Sequence, residues 1–342
     1  MNNSLKPASP TIIDVANKAG VSVATVSRVI NHTGPVAEQT VLRVTSAIND
    51  LNFVPSSAAR NLSSRKTNTI GLLLTDINWI NFFPPLLRGI QTGAAEAGYD
   101  LLIHSIQTSN PNARSRPVGE HNTDGILVFT DALPDDEIQR LNRKEFPMVL
   151  LFRSPPPDTS IPFVLFANKA GTCTAVDHLI DVHHYRNIAY LRGPEDSEEA
   201  GWREKGYIDS LQAHGMTINP EIIGHGDFEI NVARRTVQEW LEKGTQIDAI
   251  CAADDDSAIG AMLALQAANK KIPEDIALVG FDDVPNAQYL TPPLTTVSAP
   301  IEEAAYQAVN TLIGLIRNDQ PKPLDLFPTH LIVRRSCGCN ID

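Results

Sequence analysis

Between Ser22 and Arg28 the sequence SVATVSR holds residue types suited to reading DNA. If the segment is helical, Val23 and Ala24 present small apolar groups that fit thymine methyls. Arg28, one turn on, can make a bidentate contact with guanine. Ser22, Thr25 and Ser27 are placed for phosphate oxygens, which position a helix without specifying sequence. The competing view is that any three-helix unit carries Ser, Thr and Arg on its surface.

Three other clusters invite chemistry. Asp254–Asp256 could do acid-base work or hold a divalent cation. At a strand-to-helix turn such a triplet also suits the helix dipole, and no nucleophile or base partner lies at a recognisable spacing. Cys337-Gly338-Cys339 supplies at most half a zinc site, and no His or Cys near it in sequence completes the set, so ordinary thiols are expected. His178, His183 and His184 flank a predicted helix end, where capping and packing are the expected roles. Neither standard phosphate-binding glycine loop is present. No enzymatic activity, metal or cofactor is expected.

The elements that must position these residues fall into two regimes. In the first, Thr11 caps a helix with Ile12, Val15, Ala16 and Ala19 at helical spacing, and Gly20 stops it. Ser22 caps a second helix through about Ile30. A third helix sets Val41, Val44, Ile48 and Leu51 on one face and ends before Pro55. A tight glycine turn between two helices, the second polar in its exposed first half, is what a major-groove reader requires. Segment 56–63 is short and polar, with Leu62 its only large apolar residue, and a helix that short is marginal alone.

From Thr69 onward, short apolar runs alternate with helical stretches. The runs at 70–74, 100–104, 125–129, 147–152, 187–191, 249–253 and 276–281 have the length of buried parallel strands. Helices are expected at 86–97, 170–182, 201–214, 231–243 and 257–269. The alternation predicts a doubly wound α/β domain, and this many strands implies two sheets. Pro111 and Pro117 spoil the crossover helix expected in 105–123.

Charge divides along the same line. Over 342 residues the net charge is −12, yet residues 1–66 hold seven basic and three acidic side chains, a net of +4. The remainder holds 21 basic and 37 acidic ones. A basic head on an acidic body docks phosphates at one end only. Four cysteines in a chain this long suggest reduced thiols. With no signal-peptide pattern at the start and no apolar run of membrane-spanning length, a cytoplasmic protein is expected.

The run TIIDVANKAGVSVATVSRVINHTGPV closely resembles the lactose/galactose-repressor family, and the resemblance continues through NFVPSSAARNL over nearly the whole chain. It implies a helix-turn-helix head, a hinge helix that folds on the operator, and a two-lobed effector domain of the type I periplasmic-binding-protein kind. The expected bounds are 1–55 for the head, 56–66 for the hinge and linker, and 67–342 for the effector domain. Lobe one would comprise about 67–166 and 297–325, and lobe two about 167–296 and 326–342. By resemblance Leu62 wedges into the minor groove and Ala59 makes the close hinge–hinge contact.

The resemblance also implies the effector site. TNTIGLLLTD and FFPPLLRGI look like the first strand, the ligand-facing loop and the first helix, which puts Phe83 at the ligand. GPEDSEEAGWREKGY places Arg203 on the effector-binding arginine, and VGFDD places Asp282 on the ligand-contacting aspartate. Phe228 matches a pocket aromatic, and Asn168 and Asp254 match ligand-facing positions. An ion pair between lobes is the other reading of Arg203 and Asp282.

Four positions depart from the family pattern: Ala37 for a capping serine, Phe53 for a phosphate-contacting tyrosine, Ala167 for an aspartate and Asp254 for an asparagine. The last two imply an effector unlike that of the best-known members. The expected partners are pseudo-palindromic operator DNA, a small sugar-like effector and a second copy of the chain. With no heptad-patterned tail after the last strand, a dimer is expected, acting as a repressor of carbohydrate-utilisation genes. A sugar-transport protein would lack the helix-turn-helix, and a sugar kinase would need a phosphate loop.

Overall fold

The structure is a computed structural model that describes residues 10–31, 34–53, 66–74, 81–105, 119–319 and 326–340. The chain divides into two compact units, Met1–Thr67 and Asn68–Asp342.

In the first unit, α1 (Ile12–Ala19) opens with a capping box in which Thr11 and Asp14 satisfy each other's backbone donors. Gly20 closes it in the left-handed region at φ 65°, where a side chain would be strained. The chain then turns at once into α2 (Val23–Asn31), whose first turn is capped by Ser22 Oγ accepting from the Thr25 N–H at 3.1 Å. α3 (Glu38–Leu51) begins at Ala37 without a side-chain cap, as the substitution there requires. Val15, Ala16, Ala19, Val26, Val29, Val44, Ala47 and Phe53 make the small core. The hinge positions Ala59 and Leu62 lie outside the described residues.

The second unit holds two sheets. The first runs β2–β1–β3–β4–β5, all parallel, from β1 (Thr69–Leu74), β2 (Asp100–Ser105), β3 (Gly125–Phe129), β4 (Met148–Leu151) and β5 (Phe163–Val164). Successive strand residues point to opposite faces. Ile70, Leu72 and Leu74 therefore face α4 (Phe83–Ala97), while Leu73, Ile126 and Val128 face α5 (Asp135–Arg143).

The second sheet runs β11–β10–β9–β8–β6–β7. Its parallel strands are β6 (Ile188–Arg192), β7 (Ile223–His225), β8 (Ala249–Ala252), β9 (Ala277–Asp282) and β10 (Thr295–Ser298). On one face lie α6 (Asn168–Asp181) and α7 (Glu198–Ala213); on the other lie α8 (Ile230–Glu242) and α9 (Asp255–Ala267).

Two details differ from the sequence expectation. β10 pairs with β9, so the chain returns to the first lobe at Ala299–Pro300, a few residues later than anticipated. It does so through α10 (Ile301–Ile316), which packs on α4. That packing is close: a Cβ on Gly89 would sit 2.2 Å from the Glu302 carbonyl oxygen, so only glycine fits. The final strand, β11 (His330–Ile332), is antiparallel to β10, although parallel sheets were expected. A parallel strand needs a crossover within its own sheet, and the chain reaches β11 from the other lobe instead.

Candidate functional site: a two-lobed cleft and an exposed helix

On α2, Val26 and Val29 are buried while Ser22, Val23, Ala24 and Arg28 are exposed and Thr25 and Ser27 are half-buried. Val23 is 41% exposed, unusual for a valine flanking a core, so an apolar group is held in solvent on the helix that also exposes Arg28. This is the surface expected of a groove-reading helix, and every head residue named from sequence lies on α2 or at its cap.

In the second unit the carboxyl ends of β3, β6, β8 and β9 converge on a cleft between the sheets, where ligands bind in open α/β folds. The cleft is lined by Phe82, Phe129, Thr130, Ser197, Glu199, Arg203, Phe228, Asp254, Asp256, Asp282 and Val284. Counted to its open mouth the space is about 460 Å³, of which only about 30 Å³ is roomy enough for the centre of a water-sized sphere. The first lobe supplies an apolar wall. Phe82 and Phe129 meet at 6.0 Å, and each sets its ring edge-on to Phe152 behind them. Phe83, expected at the ligand, is only 4% exposed and packs into the lobe against Phe129. The start of α4 turns its neighbour Phe82 into the cleft instead.

The second lobe supplies charge. Arg203 is 2% exposed, and each of its three nitrogens donates one hydrogen bond, which leaves two N–H groups for a ligand. Its Nε donates to Asn168 Oδ1 at 2.8 Å, Nη1 to the Ala253 carbonyl at 2.7 Å and Nη2 to Asp282 Oδ1 at 2.9 Å. Its guanidinium carbon lies 3.8 Å from the Phe281 ring centre and 5.6 Å from that of Phe228. A planar, three-way-tethered guanidinium is a rigid hydrogen-bonding plate. Arg203 and Asp282 are thus a pair within one lobe and not a bridge between lobes. Asn168 does not line the cleft; it orients Arg203 and donates to Glu199 Oε1 at 3.1 Å.

Asp282 has φ 103°, a conformation costing of the order of 1–3 kcal/mol that the surrounding fold must over-determine. Asp254 caps α9, accepting from the N–H groups of Asp256 at 3.1 Å and Ser257 at 3.0 Å. Asp255, fully buried, turns away and holds Thr296 Oγ1 and the Val284 N–H, so the triplet serves two purposes.

Burying these carboxyls beside one another raises them. Burial, with Arg203 opposing, brings Glu199 to about 7. Burial, reinforced by Asp256 and Asp282, brings Asp254 to about 7. Burial also raises Asp256 and Asp282. Arg203 is pulled down by burial but more strongly raised by Asp282 and Glu199, and stays charged.

The consequence is a pH-dependent stability. Glu199 and Asp254 hold protons in the folded state that the unfolded chain has released, so stability falls as pH rises from about 4 through about 7. Asp254→Asn keeps the cap and removes one of these protons. Its melting temperature should gain on the parent's as pH rises across that window, measured by thermal denaturation; a constant offset from pH 5 to pH 8 would contradict the burial of this carboxyl.

Two sets of hydrogen bonds cross the cleft mouth. Asn81 from the first lobe donates to Asp256 and accepts from Asn286 Nδ2 at 2.9 Å. Ser154 donates through its N–H and its hydroxyl to the Glu198 carboxylate, both at 2.7 Å. Sequence reasoning missed Phe82, Phe129 and Glu199 as lining residues. Glu199 sits one helical turn before Arg203, and Phe129 ends a strand at the sheet's carboxyl edge, so both were reachable from spacing. The fold also joins two groups kept apart in sequence, bringing His178 and His183 beside Cys337 and Cys339.

A helix-turn-helix unit and a two-lobed cleft in one chain define a ligand-controlled DNA-binding regulator. Residues 11–56 match the bacterial regulatory proteins of the lacI family, and residues 176–337 match periplasmic binding protein-like domains. The chain is 37% identical over 332 residues to the ribose operon repressor of Halalkalibacterium halodurans, covering 95% of this chain and 96% of that one. The solved lac repressor dimer, bound to operator and the anti-inducer ONPF, superposes with a TM-score of 0.82 at 25% identity, covering 96% and 99% of the two chains. The transcriptional regulator CelR–cellobiose complex gives 0.69 at 30% identity, covering 96% and 99%. This chain belongs to the lacI family of bacterial regulatory proteins.

Proposed function

We propose that this regulator is a homodimeric repressor of carbohydrate-utilisation genes whose operator affinity is set by a neutral, polyhydroxylated effector in the cleft. One observation carries the reading: among the described residues a single guanidinium, Arg203, stands among Glu199, Asp254, Asp256 and Asp282 opposite the rings of Phe82 and Phe129. Carboxylates accept from sugar hydroxyls, Arg203 donates to them, and aromatic faces cover the ring's C–H side. The same acidic ring repels anions. Isothermal titration with neutral pentoses, hexoses and disaccharides should find a ligand, while the phosphate esters of that sugar bind at least ~10-fold more weakly. Preference for the phosphate ester would overturn the neutral-effector assignment.

The bonds of Asn81 and Ser154 across the mouth support closure of the lobes around the ligand. Asn81→Ala removes two of them and should weaken effector binding about tenfold, at about 0.5–1.5 kcal/mol per bond, with the fold intact by circular dichroism. Exposed Leu102 and Ile103 on edge strand β2, with Leu263 and Tyr289 on the second lobe, supply apolar surface for self-association. Two heads would then read half-sites about one helical turn apart. The relatives named above are transcriptional regulators, which supports a regulatory and not an enzymatic role, and operator binding supports a cytoplasmic location. Among the described residues no helix is long and apolar enough to cross a membrane.

A further inference from the structure

We propose that His178, His183, Cys337 and Cys339 form a structural zinc site that clasps the C-terminal segment onto the end of α6. One ligating atom from each residue lies within 4.8 Å of all the others. Cys339 Sγ is 3.3 Å from His183 Nε2 and 3.6 Å from His178 Nε2. A tetrahedral zinc with Zn–S of about 2.3 Å and Zn–N of about 2.0–2.1 Å sets its S···N edges at about 3.6 Å, so two edges of the tetrahedron are already in place.

The neighbours hold both arms of the clasp. Tyr185 stacks on His183 at 5.5 Å between ring centres, and its hydroxyl donates to the Cys337 carbonyl at 3.3 Å. Gly338, between the cysteines, has φ 109°, and a Cβ there would stand 3.1 Å from His183 Nδ1. A glycine is thus required for the two thiols to wrap the ring. Both cysteines are free thiols, Cys337 is fully buried and His178, His183 and Cys339 are half-buried.

Two sulfurs and two imidazole nitrogens in a compact set select zinc among the common divalent ions. Four protein ligands leave no open position, so the site is structural and not catalytic. Binding converts two thiols to thiolates and releases two protons to solvent. The clasp lies on the second lobe, apart from the residues that line the cleft, and it does not depend on the effector assignment.

Untagged full-length protein, expressed with added zinc and purified under a thiol reductant, should carry about one zinc per chain by plasma mass spectrometry. After chelation, cobalt(II) should give intense visible d–d bands of a tetrahedral site with thiolate charge transfer. Cys339→Ser and His183→Ala should lose both signals, and Cys173→Ser should keep them. The parent protein alone decides the matter if a variant fails to fold. Parent protein with free thiols that retains no zinc and gives no tetrahedral cobalt spectrum overturns the site. So does a Cys337–Cys339 disulfide in protein isolated without air.

Discussion

Replacing Arg203 by methionine is expected to abolish effector response and cost the second unit about 3–5 kcal/mol, roughly 10 °C in melting temperature. Among the described residues the guanidinium is the one cation lining the cleft, and its removal strands Asp282 beside Glu199 and Asp254 in a buried space. Those carboxyls must then take up protons or draw in water. Methionine fills the volume over Phe281 but donates nothing, so three hydrogen bonds are lost at once. Effector affinity should fall by ~100-fold or more, since a hydrogen bond to a charged group contributes about 1.5–3 kcal/mol.

Stability and recognition can be separated by a second substitution. Adding Asp282→Asn to Arg203→Met removes the unpaired charge and should restore part of the lost melting temperature, because breaking half of a buried pair costs more than removing both members. Effector binding should not return. Calorimetric titration beside thermal denaturation of the single and double variants reads both effects. Recovery of binding in the double variant would show that Arg203 acts only as a structural partner of Asp282.

Arg28→Ala is the second large effect, and it acts on the other unit. A bidentate arginine–guanine contact contributes about 1–3 kcal/mol per half-site, so a dimer on two half-sites should lose ~30-fold to ~10⁴-fold in operator affinity. Binding to unrelated DNA should fall only a few-fold, since Lys18, Arg43 and Lys66 still supply positive charge. The substitution should leave the head folded, because Arg28 is exposed and the core is built from Val15, Val26 and Val44. Competition binding at fixed salt measures the ratio of the two affinities. Equal loss of both would assign Arg28 to phosphate contact and leave the base readout to Val23 and Ala24.

Much of this architecture was legible because each part has a local signature. The head follows from Thr11, Gly20 and Ser22, whose capping and turning roles depend only on neighbours a few residues away. The strands followed from apolar runs, and alternate faces of β1 bury against different helices as period-two geometry demands. Arg203, Asp254 and Asp282 reached the cleft because each sits at the C-terminal edge of a strand or on the helix beside it. Phe83 did not, since which of two adjacent phenylalanines faces the cleft is decided by the rotation of α4 against α10, a tertiary property. The His178–Cys339 cluster was hidden for a related reason. Its members are up to 161 residues apart, and β11 turns back to join them only after the chain has crossed to the other lobe and returned.

The capping substitutions are informative in both directions. Ala37 leaves α3 without a side-chain cap, as the sequence implied. Asp254, where the family pattern has an asparagine, caps α9 and adds a fourth carboxyl to the cleft wall. Discrimination among sugars is expected to turn on this residue, because a carboxylate and an amide differ in whether they can donate to the effector.

The most direct test of a ligand-gated operator switch is a mobility-shift titration on the DNA upstream of the protein's own gene and its neighbours, with and without the neutral sugar found by calorimetry. Specific retention should change at least ~10-fold on adding that sugar, a coupling of about 1.4 kcal/mol or more, and the change should vanish in Arg203→Met while Arg28→Ala loses retention itself. Failure to retain any specific DNA, with or without sugars, would contradict the account.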